Sequence, residues 1–166
     1  QEVISDRAQG FYEQAYSNDA KVRIKVIEKD VIHDEDAAAR LGLDPEDELI
    51  CLKRLRYVDD VLSRYSVIYL SASRFPKILT HDFSDDSLAD FLFKAYAVQL
   101  VENEVSVHVE ELCDRLAAVL NVEVGTSVIA AYSTVKDKFG TIIAFGAAVY
   151  TPNSGEIRFH LHSNAA

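Results

Sequence analysis

Glu48–Leu70 reads ELICLKRLRYVDDVLSRYSVIYL, and its reading decides the fold. Along its first half, Leu49, Cys51, Lys53, Leu55 and Tyr57 alternate with Ile50, Leu52, Arg54, Arg56 and Val58. A period of two puts successive side chains on opposite faces of a strand. Asp59-Asp60 then reads as a hairpin turn, and Val61–Leu70 as the returning strand. On one face Ile50 and Leu52 run straight into Arg54 and Arg56. Two guanidiniums two residues apart on one strand face must reach water, meet carboxylates or hold an anion. The planar fork of Arg suits the last task, because it binds carboxylate or phosphate through paired hydrogen bonds. A solvated sheet face gives the same spacing, so both readings stand at this point.

With 166 residues, 49% of them hydrophobic, the chain can bury a real core, and residues 1–166 are expected to form one domain. The formal net charge of −10 argues against a nucleic-acid grip by this piece itself, since phosphate contacts supply most of that affinity. Basic runs, zinc-finger spacings and a helix-turn-helix pattern are all missing from the sequence. Cys51 and Cys113 both lie in apolar patterns, which predicts reduced core thiols and a cytoplasmic location. The longest apolar stretch, Thr141–Tyr150, is strand-like and too short to span a bilayer, so no membrane partner is expected. The chain begins at Gln1 without an initiating Met, which predicts a fragment of a longer protein.

Along the rest of the chain, Lys21–Ile32 alternates as a strand, and Asp34 caps a helix through about Leu41 with Gly42 as its stop. Ser71–Pro76 reads as a loop, and Ser84-Asp85-Asp86-Ser87 opens a helix through about Tyr96. Val98–Val109 reads as a strand and Glu110–Leu120 as a helix; Thr126–Lys136, Thr141–Thr151 and Glu156–His162 read as strands. Hairpins dominate, so the expected class is α+β, a mostly antiparallel sheet with inserted helices. There is also an internal echo. Leu41–Ile50 aligns without gaps on Leu120–Ile129; each follows a helix rich in Ala and enters a hairpin. Two pseudo-related halves are expected, with a cleft between them. The counterpart of Arg54 in the second half is Ser133, so the Arg pair belongs to one half only.

Four runs in order carry a family resemblance: A-x-x-L-G-L-x-x-x-D-E-L-I at Ala38–Ile50, K-R-L-R at Lys53–Arg56, S-V-I-Y-L at Ser66–Leu70, and D-x-S-x-x-S-L at Asp82–Leu88. Together they resemble the UTRA domain, the effector-binding half of GntR-type transcription regulators of the HutC subfamily, from about Phe11 to Phe159. The resemblance implies a chorismate-lyase-like fold, a homodimer, and a winged helix-turn-helix domain N-terminal to this piece that alone touches DNA. Residues 1–20 would be the arm linking the two. It implies a small anionic metabolite as effector, often a phosphorylated sugar and otherwise a carboxylate, with no cofactor, and a sensor rather than an enzyme. Carried over by position, Arg54, Arg56 and Ser87 would hold the phosphate. The first turn of a helix, with its free N–H groups, suits an anion there. Ser66 and Ala144 stand where amino-sugar-binding members carry Glu, while Tyr150 keeps the family's Tyr, which disfavours an amino sugar. Phe11 would close over the ligand, although Gly10 stands where such members have Ser.

Arg64 shares a face with Ser66 by alternation and reads as a surface residue. His160 and His162 share a strand face in metal-ligand spacing, though such pairs near a chain end are usually plain polar residues. The competing functions are a chorismate-lyase-like enzyme, which would also need arginines for its substrate's carboxylates, and a domain that only dimerises around a vestigial pocket.

Overall fold

The computed structural model describes residues 2–3, 13–14, 21–84 and 87–152. A short ladder joins β1 (Glu2–Val3) to β2 (Glu13–Gln14). The remaining strands are β3 (Val22–Ile32), β4 (Leu49–Val58), β5 (Val61–Ser71), β6 (Leu100–Glu111), β7 (Ser127–Asp137) and β8 (Ile142–Tyr150). They form one antiparallel sheet in the order β3-β4-β5-β8-β7-β6. Helices α1 (Glu35–Arg40), α2 (Leu88–Tyr96) and α3 (Asp114–Leu120) and a 3-10 turn at Pro76–Thr80 complete the described elements. The α+β expectation holds.

The sheet order is symmetric about the β5–β8 seam. On one side lie β3, α1 and the β4–β5 hairpin; on the other lie β6, α3 and the β7–β8 hairpin. The echo in sequence has the same hydrogen bonds behind it. Leu43 N–H donates to Ala38 O at 2.9 Å and Val122 N–H to Ala117 O at 3.0 Å, both after a left-handed residue, Gly42 and Asn121. Asp47 N–H to Asp44 O and Thr126 N–H to Glu123 O close the matching turns. Each helix ends where a residue with positive φ turns the chain back toward its hairpin.

Alternation along the strands builds two layers. Leu49, Leu55, Tyr65, Val128, Ala130, Phe145 and Val149 face α1 and α3, burying Ala37, Ala38, Leu41, Ala117 and Leu120. Ile50, Leu52, Ile68, Leu70, Ala131, Val135, Ala148 and Tyr150 face the crossover between β5 and β6, which supplies Phe75, Ile78, Phe83, Leu88, Ala89 and Leu92. Leu88 and Leu92, one turn apart, put one stripe of α2 onto the sheet. Fully burying side chains of this size stabilises by about 1.5–3 kcal/mol each, so the crossover is anchored to the face that carries the arginines.

Several boundaries differ from expectation. The segment read as loop continues into the 3-10 turn, with Pro76 at its first position and Ile78 fully buried. The strand expected to end at Val109 runs to Glu111, and α3 starts only at Asp114, because Leu112 is pinned by its N–H donating to Thr126 O and by burial against Ala117 and Val128. Cys51 is buried, but Cys113 is exposed at the head of α3, so only one of the two thiols is a core residue. The strand expected at Glu156–His162, with His160 and His162, lies outside the described residues.

Candidate anion-binding site

Ladder register places the candidate residues. On the β4–β5 ladder Arg54 stands opposite Ser66 and Arg56 opposite Arg64. On the β5–β8 ladder Arg64 stands opposite Tyr150 and Ser66 opposite Ala148. Directly paired residues share a face, so Arg54, Arg56, Arg64, Ser66 and Tyr150 all lie on the face covered by α2. On β3 the ladder partners of Arg54 and Arg56 are Val26 and Ile24, so the basic cluster has an apolar wall on its outer side.

The third arginine departs from expectation. Arg64 is 8% exposed, no surface residue, and it belongs to the Arg face. A register shift between Arg56 and Tyr57 brings it there: Tyr57 pairs with Leu62 and Arg56 with Arg64, so Ser63 is the extra residue of a β-bulge. Without the bulge, a hairpin closed at Asp59-Asp60 would set Arg64 opposite Leu55, on the other face, because a one-residue slip inverts every side chain. Three contacts hold the bulge. Ser63 Oγ donates to Arg56 O at 3.2 Å, Thr151 Oγ1 donates to Leu62 O at 2.8 Å, and Thr151 N–H donates to Ser63 O at 3.1 Å. No Gly or Pro marks the position, and two of the three contacts come from Thr151, far along the chain.

The electrostatics are unfavourable for an empty site. Burial, then the Arg64 and Arg56 guanidiniums, push the Arg54 pKa down to about 10. Arg54 remains charged at neutral pH, and among the described residues the charges that act on it are the cations Arg64 and Arg56. Three positive side chains gathered on half-buried sheet in a protein of net charge −10 run against its general field. The second half shows the same positions without charge. The pairs that match Arg54–Ser66 and Arg56–Arg64 there are Ser133–Gly146 and Val135–Ala144, small or apolar and packed in the core.

Ser87 caps α2, accepting from Asp90 N–H at a long 3.5 Å, and so it heads the helix that covers this face. Its loose cap leaves the hydroxyl capacity for a second contact. Tyr150 is 3% exposed and belongs to the core. It also borders a cavity of about 220 Å³ that Ile129, Thr151 and Pro152 line with it, on its side away from Arg64. The structure therefore unites Arg54, Arg56, Ser66 and Tyr150 in consecutive ladder positions and adds Arg64. Phe11 lies outside the described residues. No group of three or more His, Cys, Asp or Glu side chains is gathered among the described residues, and among them no helix is long and apolar enough to cross a membrane.

The profile of the UTRA domain matches residues 17–154, and the chain belongs to the UTRA domain family. Solved structures agree with it in fold. YydK of Bacillus subtilis is 21% identical, with a TM-score of 0.71, covering 86% of this chain and 62% of its own. PhnF of Mycobacterium smegmatis is 17% identical, with a TM-score of 0.78 over 87% of this chain and 64% of its own. The separately solved effector domain of PhnF gives a TM-score of 0.77 at 17% identity, over 87% of this chain and 89% of that domain. The chain thus spans less than two thirds of the longer relatives' length. No curated protein matches by sequence.

Proposed function

We propose that this chain is the effector-sensing and dimerising module of a GntR-type transcription regulator, and that its effector is a small anionic metabolite of the phosphorylated-sugar class. Arg54 and Arg56 grip the phosphate, Ser87 and the first N–H groups of α2 complete its shell, and Ser66, Tyr150 and Phe11 border the rest of the ligand. The observation that carries this reading is the Arg54–Arg56 pair on the covered sheet face, with the like charges of Arg64 and Arg56 acting on Arg54 among the described residues. An anion is the group that relieves that arrangement, and Arg is the side chain that holds one through paired hydrogen bonds.

In this reading the module works in the cytoplasm without a cofactor. DNA is touched only by a winged helix-turn-helix domain N-terminal to it, joined through residues 1–20. Effector binding changes DNA affinity by as much as the ligand prefers one domain arrangement over the other. The part of each longer relative that this chain leaves uncovered, and the match to a domain named for its effector, support the division of labour.

Thermal unfolding against free phosphate, sulfate, phosphosugars and small carboxylates tests the reading, with Arg54→Ala and Arg56→Ala alongside. A ligand at ~100 times its Kd stabilises by roughly 2.7 kcal/mol, a clear rise in Tm. The expected result is a rise with at least one phosphate ester that both variants abolish. If the transition stays fixed with every anion, the site reading fails and dimerisation remains as the module's work.

A further inference from the structure

We propose that Glu156–His162 is a seventh strand of the sheet, paired antiparallel along the outer edge of β6, with Phe159 beside Val109 and Leu161 beside Val107. The segment lies outside the described residues; the edge that receives it does not.

Among the described residues β6 ends the sheet, and no strand pairs with its outer side. An edge strand points every second N–H and C=O outward, and natural sheets guard such edges with Lys, Pro or bulges. The opposite edge, β3, is guarded in this way: it carries Arg23, Lys25 and Lys29, and its register shifts between Val26 and Glu28. β6 is 12 residues long, holds no Lys, Arg or Pro, and keeps one register from Glu102 to Glu111. Val105 is partly buried under the crossover, but on the same face Val107 is 47% and Val109 77% exposed. A long, regular edge with bare valines calls for a cover.

Charge decides what kind of strand fits. β6 carries Glu102, Glu104, Glu110 and Glu111, so a second copy of β6 would set glutamates against glutamates. Ile157–His162 reads IRFHLH, apolar Ile157, Phe159 and Leu161 alternating with Arg158, His160 and His162, with no acid among them. The chain also arrives at the right place. Pro152, the last described residue, lines the cavity of about 220 Å³ together with Val109 and Ile129. β8 and β6 run in the same direction, both antiparallel to β7, so a chain that leaves β8 and turns back runs antiparallel to β6. From β8 to the far side of β6 is three strand spacings, about 14 Å, and the residues from Pro152 to Ile157 span up to about 17 Å. Asn153, Ser154 and Gly155 supply the turn chemistry. With Phe159 opposite Val109, Arg158 falls opposite Glu110, on the face where Glu110 accepts from the Tyr132 hydroxyl at 2.6 Å.

Amide hydrogen exchange followed by NMR tests the pairing on the whole chain, on a chain ended after Gly155, and on Phe159→Asp. In the whole chain, the amides between Val105 and Glu111 that point away from β7 are expected to exchange at least a hundred-fold slower than in free peptide, and ten-fold dilution should leave them unchanged. Both altered chains should lose at least ten-fold of that protection, while the amides that β6 donates to β7 keep theirs. Outward amides that exchange freely in the whole chain overturn the proposal, and that result needs no variant to fold. Protection that survives removal of residues 156–166 overturns it as well, because another element then covers the edge. Protection that falls on dilution puts a second copy there instead and overturns it too.

Discussion

Arg64 stands directly across the β4–β5 ladder from Arg56, two guanidiniums on one covered face of the sheet. Like charges set opposite each other destabilise a sheet, and here a third, Arg54, lies diagonal to the pair. The geometry depends on one inserted residue, Ser63, and on Thr151, which follows β8 and closes over the bulge. The candidate site is thus made by register as much as by residue type.

The Thr151 hydroxyl is the most accessible handle on that register. Thr151 is 3% exposed, and its Oγ1 donates to Leu62 O at 2.8 Å. In Thr151→Val the side-chain shape is kept, but a carbonyl loses its donor in a dry place. The expected loss is about 1–2 kcal/mol, read as a lower urea midpoint with an unchanged m-value. Anion affinity should fall as well, since the bulge is bonded to the Arg56 carbonyl and its loosening disturbs that residue's backbone. A variant as stable as the parent would mean that the bulge holds without Thr151.

Arg54 predicts a trade between stability and binding. Its charge is disfavoured in the fold by burial and by Arg64 and Arg56. Arg54→Met keeps an apolar stem for packing and removes one cation from the cluster. The unliganded chain should gain about 1 kcal/mol at pH 7, while phosphate-dependent stabilisation disappears. The sign with pH follows from a folded-state pKa below the unfolded one. The penalty is complete below pH 10 and is relieved only as pH rises through about 10, so the gain of the variant narrows there. Melting curves at pH 7 and pH 10 check both parts; a variant less stable than the parent at pH 7 would refute the repulsion argument.

What the sequence made legible and what it hid follow different physics. The period of two in Glu48–Val58 and the repeat of Leu41–Ile50 at Leu120–Ile129 are local patterns, and the sheet and its two halves follow from them. The pairing of Arg54 and Arg56 on one face is equally local. The position of Arg64 is not, because it depends on a bulge without a Gly or Pro to announce it and on a hydrogen bond from Thr151, 89 residues from Leu62. The onset of α3 at Asp114 is hidden from the local sequence for a similar reason. Glu110 and Glu111 look like acidic first-turn residues, yet the ladder opposite Val128 and Ser127 keeps them in β6. Exposure of Cys113 follows from that shift, since it became the residue before the helix.

Ser87 separates capping from ligand binding. Its cap to Asp90 N–H is long, 3.5 Å, so Ser87→Ala should cost at the low end of the usual range, about 0.5 kcal/mol. Ser87→Asp keeps a capping oxygen and favours the positive end of the α2 dipole, for a gain of about 0.5 kcal/mol. A carboxylate at that place would also repel an incoming phosphate. The expected result is a variant at least as stable as the parent whose phosphate-ester affinity falls more than ten-fold. If Ser87→Asp binds as well as the parent, the ligand does not approach the head of α2.

The equivalence of the two halves can be tested where α1 and α3 end. Gly42 has φ of +70° and Asn121 has φ of +53°, and both precede the same pair of turn-closing hydrogen bonds. A methyl group at Gly42 would meet nothing within 4 Å, so any cost of Gly42→Ala is conformational. That cost should be about 1 kcal/mol, as for an alanine forced into the left-handed region. Gly42→Asn installs the residue that the other half uses, which tolerates this backbone, and should cost about half as much. Conversely, Asn121→Gly should stabilise by about 0.5 kcal/mol. Denaturant midpoints for the three variants check the order. If Gly42→Asn proved as costly as Gly42→Ala, the two helix ends would share a shape without sharing the constraint that makes the halves equivalent.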